Sequence, residues 1–229
     1  KFIPEKYKED KENLITMYNS YGFRDAIIIT DSVVPYDDKS VDIYVNIEEG
    51  QKYYLRNINW VGNTIYTSDG LNNVLQMKKG DVYDQTRLNK RLMEDEDAVG
   101  NLYYNNGYLF YRLTPTEVNV VGDSIDLEMR ITEGTQATIN KVTITGNDRV
   151  YEDVVRRELR TKPGDLFSKD AMMRSFREIG SMGHFDPENI QYDIKPNPEN
   201  GTVDLAWGLQ SKSNDQVELS LGYGQTGVI

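Results

Sequence analysis

The chain repeats itself with a period of 84 residues, and a repeat of that length constrains the fold more tightly than any other feature. The stretch KKGDVYD at 78–84 returns as KPGDLFS at 162–168. INWVGN at 58–63 returns as VTITGN at 142–147, and VDIYVNIEEG at 41–50 as IDLEMRITEG at 125–134, both at the same offset. NNGYLF at 105–110 matches SMGHFD at 181–186 at an offset of 76, so the later unit is eight residues shorter in between. NSYGFR at 19–24 is the same landmark in an earlier unit. The 229 residues therefore divide into a partial unit at 1–51, full units at 52–135 and 136–212, and a tail at 213–229. The first unit lacks a leading strand and a first helix, so the chain is expected to be a fragment of something longer.

Both full units parse alike. A strand comes first, Tyr54 to Val61 and Thr138 to Thr145, closed by Gly62-Asn63 and Gly146-Asn147, residue types that tolerate positive φ. A short helix follows, with Val154, Val155 and Leu159 as its apolar face in the last unit. Gly80 and Gly164 are expected to close that helix in the left-handed conformation, and Asp84 and Ser168 to cap a second, longer helix. Leu88, Leu92, Val99 and Leu102 line the inner face of that helix, as do Met172, Phe176 and Ile179 in the last unit. Gly107 and Gly183 stop it. Two strands complete each unit, Tyr108–Val120 with Ser124–Thr132 and Asn189–Lys195 with Thr202–Gln210, the latter pair joined by the turn NPENG.

The expected class is α+β: tandem β-α-α-β-β units, each a three-stranded mixed sheet with two helices on one face. In such a unit the last strand inserts beside the first and leaves the second at an edge. The edge strands are then Asp25–Val33, Leu109–Val120 and Asn189–Lys195. An unpaired edge offers backbone donors and acceptors to any extended peptide. The candidate strand-addition residues are Ala26, Ile27, Ile28 and Ile29, then Tyr111 and Leu113, then Ile190 and Tyr192.

Residues for catalysis are not assembled. The single histidine, His184, follows a helix-stopping glycine and reads as a packing or capping residue. With no cysteine, disulfides and thiolate metal sites are excluded. GYGQTG at 222–227 leads into no helix, so it lacks the context of a phosphate-binding loop. EDED at 94–97 reads as a solvated face in the middle of the second helix rather than a calcium site. No cofactor, metal or catalytic residue is assigned. A net charge of −11 repels phosphate backbones and argues against nucleic-acid partners. Against that background Arg156, Arg157 and Arg160, expected on the first helix of the last unit, are a candidate docking patch for an acidic partner, with an ordinary exposed helix face as the plainer reading. Glu49-Gly50 and Glu133-Gly134 end their units and are candidate inter-unit hinges.

The tail alternates: Val217, Leu219, Leu221 and Tyr223 on one face, Glu218, Ser220, Gly222 and Gly224 on the other. No apolar run is long enough for a membrane helix, but alternation of this kind suits a strand of about 9–11 residues in a membrane barrel.

The unit, with GN after strand one, GD before helix two, GY or GF after helix two and EG at the end, resembles the POTRA repeat. INKVTITGNDRVYEDVVRRELRTKPGDLFS followed by SMGHFDPENIQYDIKPNPENGTVDLAWGL is similar to the membrane-proximal POTRA unit of the BamA family of outer-membrane β-barrel assembly factors. SNDQVELSLGYGQTGVI then stands where that family begins its barrel. The resemblance implies the third (partial), fourth and fifth units of an array on the periplasmic side of the bacterial outer membrane. It implies no catalysis. The implied partners are unfolded outer-membrane proteins, bound by strand addition, accessory lipoproteins docking near Arg156, Arg157 and Arg160, and the outer membrane through the barrel. Pro163 stands where the family would have an acidic residue, and LAWGLQSKS ends the last unit without Glu-Gly. Three other readings remain: the POTRA region of a dedicated translocation or secretion barrel, a docking arm for partner subunits only, and a surface-binding repeat protein with no barrel.

Overall fold

The computed structural model describes residues 2–212, and the alternating tail at 213–229 lies outside the described residues. The first unit contributes helix α1 (Pro4–Ser20) and an antiparallel pair, β1 (Ile27–Pro35) and β2 (Val41–Glu48). The second runs β3 (Tyr54–Val61), α2 (Ser68–Leu75), α3 (Gln85–Asn89), α4 (Val99–Tyr104), β4 (Arg112–Val121) and β5 (Ser124–Thr132). The third runs β6 (Thr138–Thr145), α5 (Glu152–Glu158), α6 (Lys169–Ser181), β7 (Gln191–Asn197) and β8 (Thr202–Gly208). The sheet orders are β3-β5-β4 and β6-β8-β7. In each, the last strand runs parallel to the first and antiparallel to the second.

The central strand carries the core because it is covered on both edges. Ile125, Leu127, Met129 and Ile131 of β5 are all buried, as are Val203, Leu205 and Trp207 of β8. They meet Leu71, Leu75, Leu88, Leu92 and Val99 in the second unit, and Val155, Met172 and Ile179 in the third. Asp84 and Ser168 cap the second helix as the sequence predicts, accepting from the backbone N–H groups of Arg87 and Ala171.

Two helix expectations need correction. Gly80 and Gly164 do not close the first helix, which in the second unit ends with Gln76 in the left-handed conformation. Both glycines lie farther along, where their N–H groups donate to the Leu55 and Ile139 carbonyls (2.8 Å each). The GD loop is thereby bridged onto the start of the first strand, with Val82 opposite Tyr54 and Leu166 opposite Thr138. The second helix of the middle unit is also not continuous. Its eight additional residues produce a π-helical turn at Lys90–Glu94 and a non-helical stretch before α4. EDED sits at this break, not in the middle of a helix. The buried Arg91 is held there by Asp95, Asp97 and the Val74 carbonyl.

The GN pair after the first strand is dictated by a backbone crossing. Gly62 has φ +89°, and a Cβ there would come 2.0 Å from the Ile131 carbonyl oxygen; at Gly146 it would come 1.8 Å from that of Leu209. Gly62→Ala is therefore expected to destabilise the second unit by more than ~1 kcal/mol, read as a lower urea midpoint. An unchanged midpoint would show that the crossing relaxes freely.

Candidate strand-addition edge and the joints between units

β4 and β7 lie at sheet edges, and a proline in each fixes which backbone groups face outward. Pro115 pairs opposite Met129 and Pro196 opposite Val203. A residue without N–H fits where that group would point away from the ladder. Residues two away share its orientation, so Leu113 and Glu117 on β4, and Tyr192 and Ile194 on β7, turn their N–H groups outward.

Beside β7 runs an apolar groove of about 390 Å³, lined mainly by Tyr192, Ile194, Met172, Met173, Phe167 and Leu109. Leu109 comes from the preceding unit, so the groove straddles a joint.

The proposed edge residues divide. Tyr192 and Leu113 lie on their edge strands as expected. Ile27 and Ile28 begin β1, and Ile29 is the extra residue of a bulge between Ile28 and Thr30. Ala26, Tyr111 and Ile190 are not edge positions. They precede their strands and are buried at 4%, 3% and 6% exposure. In the first two units the chain turns inward after the glycine, with Ala26 N–H on the Phe23 carbonyl and Tyr111 N–H on that of Tyr108, and becomes strand only afterwards. The prolines are the signal that sequence reasoning missed, since proline inside a strand pattern marks an edge and its register.

The arginines are likewise not one patch. Arg156 pairs with Glu152 and donates to the Val142 carbonyl. Arg160 lies beyond the end of α5 and is bidentate to Glu178 of α6. Leu159 is extended and buried, and this ends the helix before Arg160. Arg157 is exposed and forms no ion pair among the described residues.

Gly50 and Gly134 have φ +71° and +69°, which suits a turn out of the unit. Glu133 is tied into its own unit. It accepts from the N–H groups of Thr64 (2.9 Å) and Ile65 (3.0 Å), from the Thr64 hydroxyl and from the Tyr103 hydroxyl (3.0 Å). Burial works to raise its pKa, but these donors together hold it below the ordinary range. Glu49 lies near Tyr18, the counterpart of Tyr103, and adds to the rise that burial gives the Tyr18 hydroxyl. Glu133→Ala is expected to cost about 1.5–3 kcal/mol in urea denaturation; a loss within error would show that Glu133 acts on the joint alone.

What closes the joints is a backbone bond that the motifs did not reveal. Tyr53 N–H donates to the Gly22 carbonyl (2.9 Å), and Ala137 N–H to that of Gly107 (2.7 Å). At the second joint Gln136 Nε2 donates to the Asn106 carbonyl, Lys169 Nζ to Asn101 Oδ1 and the Asp170 N–H to Asn105 Oδ1, each at 2.9 Å.

Within the middle sheet, Asp126 is buried between Asn57 (2.8 Å) and Arg56, which stands at a bulge of β3. The Arg56 guanidinium holds its pKa down at about 2. A depressed carboxyl contributes stability above its unfolded value of about 4, and that contribution disappears as pH falls through about 2. The melting temperature is therefore expected to fall more steeply between those pH values in the natural chain than in Asp126→Asn; parallel curves would remove Asp126 from the acid transition.

The fold defines a class: a tandem array of β-α-α-β-β units joined end to end, with the second strand of each full unit at a sheet edge. The model of the POTRA family, described as a surface antigen variable number repeat, matches residues 1–50, 53–134 and 137–207, and the chain belongs to that family. It is 27% identical over its whole length to the outer membrane protein assembly factor BamA of Neisseria meningitidis serogroup B, covering 28% of that protein. It is 23% identical over 99% of its length to a putative outer membrane protein assembly factor of Treponema pallidum, covering 27% of it. The chain thus spans little more than a quarter of these relatives. Among solved structures it is similar to BamA POTRA units 3–5 of Haemophilus influenzae, with TM-score 0.74, 19% identity, and coverage of 92% of this chain and 82% of that one. This last likeness concerns the fold.

Proposed function

We propose that this chain is the periplasmic POTRA region of an outer-membrane protein assembly factor, and that it holds unfolded outer-membrane proteins by strand addition before they enter the membrane. The observation that carries this reading is the open edge of β7 with an apolar groove beside it. Two outward N–H groups in succession, at Tyr192 and Ile194, supply main-chain pairing that reads shape rather than sequence. The groove accepts every second side chain of the added strand, and a barrel strand is apolar at every second residue. Exposed Arg157 at the end of α5 is part of the same proposal, as a contact for an accessory lipoprotein. So is the alternating stretch Val217, Leu219, Leu221 and Tyr223, as the first strand of the barrel. Binding and scaffolding need no catalytic group, and the reading is non-enzymatic.

The test is an amide-resolved NMR titration with a synthetic peptide of one outer-membrane barrel strand. Shifts are expected along Gln191–Asn197 and at Met172 and Met173 of α6, and Ile194→Lys is expected to suppress them by placing a charge at the groove. Shifts confined to α5 would make the array a docking arm for partner subunits and remove client binding.

A further inference from the structure

The two joints carry the same site in opposite states. Leu109 lies two residues after Gly107, and Arg24 lies two after Gly22. Phe167 and Tyr83 are counterparts in the repeated GD motif. Ile194 pairs opposite Leu205 on β8, and Glu117 opposite Leu127 on β5, the same register in the two sheets. At the second joint Leu109, Phe167 and Ile194 line the open apolar groove. At the first joint these places hold Arg24, Tyr83 and Glu117, and Arg24 is paired with Glu117 across the boundary between units.

The ion pair is held from several sides. Arg24 also bonds Asp25 (2.9 Å) and lies 4.5 Å from the centre of the Tyr53 ring. Tyr53 in turn donates its hydroxyl to Asp25 (2.9 Å). Burial pushes the Tyr83 hydroxyl up to about 12, and the neighbouring Glu117 adds to the rise. An apolar side chain entering here would strip water from a carboxylate and a guanidinium, which is unfavourable. The backbone at this edge still turns the N–H groups of Leu113 and Glu117 outward, on either side of Pro115 and before the bulge between Glu117 and Asn119, so what closes it is the ion pair.

We propose that Arg24 of the first unit latches Glu117 on β4 and closes the second unit's edge to strand addition, so that incoming segments are directed to β7. The proposal rests on the strand-addition reading of the preceding subsection and assigns that activity to one edge of the two. The partner it fits is an extended segment with aliphatic or aromatic residues at alternate positions. The latch spans two units and is partly solvated, so a change in the angle between them breaks it at little cost.

The test compares three proteins by the same NMR titration: the natural chain, Arg24→Leu/Glu117→Ile, and Leu109→Arg/Ile194→Glu. The probe is a ten-residue peptide alternating valine and serine. In the natural chain amide shifts are expected on Gln191–Asn197 and not on Arg112–Val121. Removing the latch is expected to bring shifts to β4, and installing its counterpart at the second joint is expected to abolish those on β7. Unperturbed spectra of the free variants outside the exchanged positions establish that each folds. Equal response of β4 and β7 in the natural chain, or a β4 that stays silent without its latch while β7 responds, overturns the latch and leaves strand addition standing. Silence of both edges in all three proteins overturns strand addition itself, and the latch falls with it.

Discussion

The two full units depend on the parallel contact between their first and last strands. β3 meets β5, and β6 meets β8, only after the rest of the unit has been threaded past. That contact puts the last strand in the centre of the sheet, where its apolar residues are covered by the helices. It forces the first strand to end in a glycine, because the backbone there crosses the carbonyl at the end of the central strand. And it expels the second strand to the rim. The exposed second strand is thus a by-product of how a short β-α-α-β-β chain closes its core.

The joints use the same economy of means. One glycine carbonyl after the second helix receives an N–H from the start of the next unit, Tyr53 or Ala137, at both boundaries. Around that shared bond the side chains differ: an ion pair over an aromatic ring at one joint, an apolar groove at the other. A repeat protein can in this way keep its architecture constant and vary the chemistry of each boundary through a few positions.

Local features were legible in the sequence because they rest on local physics. The glycine turns and the caps at Asp84 and Ser168 each depend on residues a few positions apart, and the 84-residue period repeats them. Errors arose where a residue is governed by something distant. Gly80 and Gly164 read as helix caps, but their partners are Leu55 and Ile139 on the first strand. Arg160 reads as helical because α5 has the right pattern, yet the burial of Leu159 ends the helix first. Ala26, Tyr111 and Ile190 continue the pattern of their strands but turn inward before the strands begin.

The amino-acid sequence by itself determined the unit, its order of elements and the rank of each strand within the sheet. These follow from periodicity, from positive-φ glycines and from the two residue types, glycine and proline, that limit the backbone most. Only the tertiary structure decided how the two edges differ. That depends on Arg24 and Glu117 meeting although 93 residues apart, and on Leu109 and Ile194 facing the same groove from different units. No pattern within one unit contains that information, because the site exists only where two units touch.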